Sequence, residues 1–584
     1  MTPAPDPIRR TTPLRRSPPA SIPAAALWIV PLAFLGVFFF YPLGSILAAS
    51  LARSPTGWLA TWGDVLSRPS FARVLAFTFG QALASTALTL LVGLPGAYLV
   101  ARYTFRGRSL LLALTTIPFV MPTVVVAAAF TALLGPRGWV NLALMEAFHL
   151  SAPPIHFLHT LGAILLAHVF YNTTIVVRLV GDFWSHLDPR QVQAAHVLGA
   201  GPAFALRTVT LPLLLPAIAA ASVLVFLFDF TSFGVILLLG GPSFSTLEVE
   251  IYTQTVGLLN LPVAATLALV QLACTLALSV AYTWLSRRMS HPLTLQPKRL
   301  AQSRLVAPRQ RVMAAVIVGA LVLLLVSPLA ALAFRSVTRL DPERGQSTFP
   351  TPAVTLAYYR ALGSNARTSI FQAPPATAIG VSLSYAALTV VLSLALSLPV
   401  AWALARHPND PFSRLADPLL LLPLGTSAVT LGLGFTLALA VPPLDFRASP
   451  LLVPLAHSLV AFPFVVRSLL PPLRSLQPRL RQAASVLGAS PSYALRTIDL
   501  PLVARALLLA SAFAFTISLG EFGATTVLAR PEYPTLPVAI YRYLSRPGAL
   551  NYGQALAMST ILMGVCAGAM LALEKLRFGD GREF

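Results

Sequence analysis

Two carboxylates stand inside apolar runs, where an ionisable side chain is expensive and therefore informative: Asp229 in LPLLLPAIAAASVLVFLFDFTS and Glu521 in ASAFAFTISLGEFGATTVLA. With Ser232 close behind Asp229, they offer two negative charges and a hydroxyl. That chemistry suits a cation passing between them, or pairing with an Arg or a helix end. His168 and His457 fall in two other apolar runs, 289 positions apart; such matched placement fits a shared packing or hydrogen-bonding role better than metal binding. Cys274 and Cys566 lie singly in apolar runs, and no His, Cys, Asp or Glu spacing reads as a metal site. No nucleophile–base arrangement is present. No G-x-x-x-x-G-K-[ST] phosphate loop occurs, nor any Gly-Lys pair. The sequence therefore offers no catalytic residue, no resident metal and no cofactor site.

The elements that position these groups are written twice. Residues 193–212 read QAAHVLGAGPAFALRTVTLP and residues 482–501 read QAASVLGASPSYALRTIDLP, with fourteen of twenty positions identical. At the same offset Val176-Val177-Arg178 aligns with Val465-Val466-Arg467, Phe233-Gly234 with Phe522-Gly523, and Ile251-Tyr252 with Ile540-Tyr541. Glu521 lies three positions past the match of Asp229. Upstream, Pro95–Arg102 parallels Pro399–Arg406 at an offset of 304.

Composition places both copies in a membrane. Of the 584 residues 56% are apolar and 10% charged, against about 25% charged in a soluble domain. The net charge of +22 comes almost wholly from Arg, gathered in short segments between apolar runs. That is the orienting signal of a membrane protein and excludes a basic nucleic-acid groove. Twelve segments are long enough to cross about 30 Å of hydrocarbon with roughly 20 residues each. They lie near 24–50, 78–101, 109–134, 159–182, 213–240, 262–285, 312–336, 379–405, 417–441, 449–470, 503–528 and 553–574. The predicted fold class is all-α and polytopic, with about twelve transmembrane helices in two parallel six-helix repeats.

The chain divides into a disordered tail to residue 23, a first half at 24–286, a linker at 287–311, a second half at 312–576 and a tail at 577–584. The repeated cores run at about 78–285 and 379–574. Basic clusters at Arg102, Arg106 and Arg108, in the linker, and at Lys575, Arg577 and Arg582 put both termini and both repeated loops in the cytoplasm.

Local chemistry predicts the shape of the repeated loop. Asp188 caps a helix that begins at Pro189 and ends at Gly199; Pro202 starts a second helix running to Leu211-Pro212. Pro478, Gly488, Pro491 and Leu500-Pro501 repeat the pattern. The first helix, about 15 Å long, presents Ala194 and Ala195, or Ala483 and Ala484, small residues that let another surface approach closely. Two such helices suit a dimeric partner. Glu248, Glu250, Tyr252 and Tyr541 follow the fifth and eleventh spans, expected either in a solvated outer loop or near the point of substrate delivery. Leu-Gly-Leu-Gly at 431–434 reads as helix packing, not phosphate binding.

The pattern QAAxxLG followed by aliphatic-x-Leu-Pro resembles the EAA loop of binding-protein-dependent ABC importers of the MetI-like, type I class. The resemblance covers both halves. It implies that Gln193, Ala194, Ala195, Gly199, Leu211 and Pro212, with Gln482, Ala483, Ala484, Gly488, Leu500 and Pro501, form two coupling loops that sit in clefts of a cytoplasmic ATPase dimer. Gln193 and Gln482 stand where the family usually has Glu, which removes any salt bridge made there. The resemblance implies a permease of the bacterial inner membrane, ATP and Mg held by the partner ATPase, and a periplasmic or lipid-anchored solute-binding protein. Two fused halves resemble the thiamine and iron(III) importers, so either cargo is open. Asp229, Ser232, Glu521, Tyr252 and Tyr541 are the candidate translocation path. The rival reading is an ion-gradient-driven secondary transporter with twelve parallel-repeat spans, which gives no reason to duplicate the loop so faithfully.

Overall fold

The computed structural model describes residues 26–52, 58–289, 302–339, 354–363 and 374–578, apart from short stretches between 407 and 448 and residue 477. Among them eleven helices are long and apolar enough to cross a membrane. The N-terminal tail, residues 290–301 of the linker and residues 579–584 lie outside the described residues.

In the first half, α1 (Leu27–Leu51) and α2 (Pro69–Arg102) are long single rods. The third predicted span is two helices, α3 (Arg108–Val120) and α4 (Thr123–Leu134). Pro122 has no N–H to donate and holds Met121 extended, at φ −69° and ψ 135°. Then come α5 (Leu161–Ser185), the short α6 (Pro189–Val197), α7 (Pro202–Phe230), α8 (Leu247–Tyr252) and α9 (Leu261–Leu285).

The second half repeats this with α10 (Pro308–Arg335), α11 (Pro375–Arg406), α12 (Ala428–Ala438), α13 (Leu452–Ser475), α14 (Pro478–Val486) and α15 (Ser492–Gly520). It closes with α16 (Gly523–Leu528), α17 (Leu536–Leu544) and α18 (Ala549–Ala572). The ninth predicted span, partly outside the described residues, contributes a 3-10 turn at Leu422–Gly425 and the short α12.

Two further expectations are corrected. The second loop helix does not stop at Leu211-Pro212: α7 is one helix of 29 residues, and so is α15. A wide π-type turn at Leu206–Thr210, closed by Leu211 N–H on Leu206 O, absorbs the proline, and Leu495–Asp499 does the same in the second copy. The fifth and eleventh spans do not run through to 240 and 528. Each breaks at matched positions, Thr231–Phe233 and Glu521–Phe522.

The first helix of each half packs on the other half. α1 lies against α11 and α12, with Phe38 on Phe435 at 6.2 Å between ring centres. α10 lies against α2 and α4. A Cβ on Gly96 would come 3.0 Å from Leu321, so α10 sits directly on the α2 backbone there. The Leu-Gly-Leu-Gly run is packing: Gly432 faces Ala524 and Val527 of α16, and Gly434 faces Pro42 of α1. One apolar core consequently spans both halves, joining Val124, Phe170 and Phe233 to Val429, Phe522 and Leu556.

Candidate functional site

The twin loops come first, because their local chemistry is the clearest. Asp188 caps α6 by accepting from Arg190 N–H at 2.9 Å. The helix closes when Gly199 takes φ +84°: Ala200 N–H donates to Ala195 O at 2.9 Å and Gly199 N–H to His196 O at 3.0 Å. α14 ends the same way, with Gly488 at φ +84° and Ala489 and Gly488 bonded to Ala484 and Ser485 at 2.9 and 3.0 Å. This paired 6→1 and 5→2 closure needs a residue without a Cβ penalty in the left-handed region.

Gln193, Ala194, Gln482 and Ala483 are exposed, Ala195 and Ala484 half-buried, and Leu211, Pro212, Leu500 and Pro501 exposed along α7 and α15. Sequence reasoning missed the most conspicuous feature of these loops. Val197 and Leu198 are each 86% exposed, and Val486 and Leu487 are 86% and 87% exposed. The repeat carries the signal, since Val-Leu precedes the glycine in both copies. The second loop is tied down by charge: Arg481 pairs with the buried Asp499, and its guanidinium lies over Trp402, 4.8 Å from the ring centre.

The second site is a cavity of about 430 Å³ between the halves, bordered by the broken ends of α7 and α15. Asp229, Ser232 and Glu521 all line it, as do His168 and Glu248; Phe119, Phe228, Phe464 and Phe513 supply apolar wall. In the first half His168 binds Ser85 through Nδ1 at 3.1 Å and Ser232 through Nε2 at 2.8 Å, and Nδ1 stands 3.5 Å from Asp229. In the second, His457 binds Ser518 through Nδ1 at 2.8 Å and Thr525 through Nε2 at 2.8 Å, with Glu521 3.4 Å from Nε2. The matched histidines thus have a hydrogen-bonding role. Carboxylate and hydroxyl have traded places between copies. Asp229 matches Ser518, and Ser232 matches Glu521.

Tyr252 and Tyr541 do not line this cavity. Phe233 and Phe522 stack across the boundary between halves, 5.6 Å between ring centres, and the tyrosines flank them at 5.2 and 5.5 Å. Gly234 permits the approach: a Cβ there would meet Phe522 at 3.2 Å and Thr123 Oγ1 at 2.2 Å. Glu248 is not in a solvated loop. It is buried, accepting from Gln271 of α9 and from Ser427, which caps α12 in the second half. That bond ties the halves together.

Sequence comparisons identify relatives of this chain. The family described as binding-protein-dependent transport system inner membrane component matches residues 93–291. The thiamine transport system permease protein ThiP of Escherichia coli (strain K12) is 28% identical over 534 residues, 89% of this chain and 91% of that protein. Its counterpart from Brucella abortus (strain 2308) is 28% identical over 512 residues, 86% and 87% of the two chains. The putative 2-aminoethylphosphonate transport system permease protein PhnU of Salmonella typhi is 30% identical over 259 residues, 44% of this chain and 89% of its own length. Among solved structures, a chain of a bacterial ABC transporter involved in the import of the acidic polysaccharide alginate aligns with a TM-score of 0.36 at 19% identity, covering 46% of this chain and 96% of that one. A buried two-half helical core, twin exposed loops and these relatives converge: the chain belongs to the inner membrane components of binding-protein-dependent transport systems and is a multi-pass permease of an ABC importer.

Proposed function

We propose that this permease imports thiamine or a closely similar small organic solute, delivered by an external binding protein and driven by a cytoplasmic ATPase dimer that grips α6 and α14. Both termini are then cytoplasmic, as the basic clusters require. The chain binds no cofactor of its own; ATP and Mg belong to the ATPase. The thiamine permeases among the relatives cover most of this chain, which supports the cargo.

The observation that carries the reading is the pair of exposed Val-Leu tips, Val197-Leu198 and Val486-Leu487. Apolar side chains held out on a capped helix in both halves fit grooves on two copies of one partner. Gln193, Ala194, Ala195 and Gly199, with their counterparts Gln482, Ala483, Ala484 and Gly488, then form the seat. α7 and α15 act as levers. Each starts at its loop, spans about 43 Å as a 29-residue helix, and stops at the cavity that holds Asp229, Ser232 and Glu521. Drawing the loops together moves the two rods and parts the Phe233–Phe522 stack, with Tyr252 and Tyr541 moving beside it. Outward opening to the binding protein follows.

The test is reconstitution. Chain, ATPase and binding protein in proteoliposomes should accumulate thiamine only with ATP. Gly199→Pro combined with Gly488→Pro should abolish ATPase capture in a pull-down while leaving membrane insertion intact. Accumulation driven by an ion gradient without ATPase would establish the secondary-transporter reading instead.

A further inference from the structure

Three carboxylates border the cavity, yet their oxygens are not equally engaged. Glu521 accepts from Ala524 N–H through Oε1 at 3.0 Å, and from Thr525 N–H and Oγ1 through Oε2 at 3.0 and 2.7 Å. It is the cap that starts α16 after the break, and both oxygens are used. Glu248 is likewise used at both oxygens, by Gln271 and Ser427. Asp229 differs. Asn172 donates to Oδ1 at 2.6 Å and Ser85 stands beside the same carboxylate, while Oδ2 has no hydrogen-bond partner among the described residues, although Asp229 is only 1% exposed.

An unpaired buried carboxylate oxygen is costly unless a proton or another positive group comes to it. Asp229 lines a cavity within the range of about 300–1,000 Å³ that small-molecule sites occupy. The remaining wall is chiefly apolar, with the faces of Phe119, Phe228, Phe464 and Phe513 available to a flat ring or a delocalised cation. A hard multivalent ion needs several oxygen ligands converging on one point. Of the six oxygens of these three carboxylates the fold engages five, leaving one, on Asp229.

We propose that this cavity is a transit site for an organic monocation bearing a flat ring, with Asp229 as its sole counter-charge and Glu521 and Glu248 committed to holding the backbone. The proposal rests on the importer reading and narrows it: an organic cation fits, and bare or hydrated iron(III) does not. It also separates Asp229 from Glu521, which the sequence treats alike. Ser232, held by His168 Nε2, sets the floor beside Asp229.

The test is equilibrium binding to the full-length chain in nanodiscs, without ATPase or binding protein. The probes are radiolabelled thiamine and its neutral isostere, in which a thiophene replaces the cationic thiazolium. Wild-type chain should prefer thiamine by about 30-fold or more, the size expected of one desolvated charge contact. Asp229→Asn should weaken thiamine alone and erase that preference; Asp229→Glu should retain part of it. Equal binding of the two probes by wild-type chain, no binding of thiamine, or a preference that survives Asp229→Asn overturns the proposal. The wild-type comparison needs no substitution, so a poorly folding variant does not protect the idea. ATP-driven thiamine uptake by the complete importer is read separately. Uptake without a charge preference in the cavity refutes the transit site alone, whereas absence of ATP-driven uptake refutes the importer reading beneath it.

Discussion

Truncating the two loop tips, Leu198→Ala with Leu487→Ala, isolates docking from folding. Both leucines are more than four-fifths exposed in the free chain, so their loss should change the chain's own stability by no more than about 0.5 kcal/mol. On the partner they would be buried. Each change removes three aliphatic carbons at about 0.8 kcal/mol apiece, or about 2 kcal/mol per tip. The pair is then worth about 4 kcal/mol, close to a thousandfold in Kd at 1.4 kcal/mol per decade. Part of that gain is offset by ordering at the interface, so a hundredfold loss still satisfies the argument. Biolayer interferometry of the ATPase on nanodisc-held permease measures it, with a thermal melt of the permease as control. The single variants should cost equal amounts, because the two tips have the same exposure and the same helix closure. A double variant that binds the ATPase within twofold of wild type refutes the docking role of these loops.

Three other outcomes follow from geometry. Gly199→Ala and Gly488→Ala each meet open space around the new Cβ but keep a φ of +84°, so each should cost only about 1 kcal/mol, seen as faster hydrogen exchange at the amides of Gly199 and Ala200 or their counterparts. Gly234→Ala places a Cβ against Thr123 and Phe522 and should lower stability by about 1–3 kcal/mol; Thr123→Ala in the same chain should restore part of the melting temperature. Asp499→Asn removes the partner of Arg481, a pair one-third exposed on the Arg side, and should cost about 1 kcal/mol. Limited proteolysis should then quicken at α14 and not at α6, where Val192 and Thr210 hold the equivalent positions.

What was legible in the sequence was local. Asp188, Pro189 and Gly199 specify a start and a stop within eleven residues of one another, and the second copy repeats the instruction, so the loop helices could be drawn from residue chemistry alone. Hydropathy, by contrast, runs straight through Thr231–Phe233 and Glu521–Phe522. What stops α15 is a side chain, Glu521, that captures the N–H groups of Ala524 and Thr525. Such a cap competes with the helix only once neighbouring helices shield it from water. Glu248 was misplaced for a related reason. Its spacing, Thr-Leu-Glu-Val-Glu, is that of an ordinary solvated turn, and its burial depends on Gln271 and on Ser427 from the other half. The preference for a loop near the outer side had no local signal against it.

The exchange of carboxylate and hydroxyl between copies bears on what a duplicated permease can do that a symmetric one cannot. Had both halves kept an acid at the Asp229 position, two like charges would face each other across the cavity, a costly arrangement in a low-dielectric wall. The second half instead carries Ser518 there and moves its acid three residues on, about one helical turn. At that point the chain leaves the helix and has N–H groups to offer. The displaced acid is hydrogen-bonded by its own backbone, while His457 keeps the place that His168 holds in the first copy. One histidine scaffold supports two different outcomes: an uncommitted charge on one side and a committed cap on the other. The proposed solute, with one charged end and one flat end, would meet a cavity with the same polarity. The twin loops, for which we propose two equal partners, have remained alike in sequence and closure. The twofold repeat has diverged where the proposed solute has no twofold symmetry and has been retained where the proposed partner does.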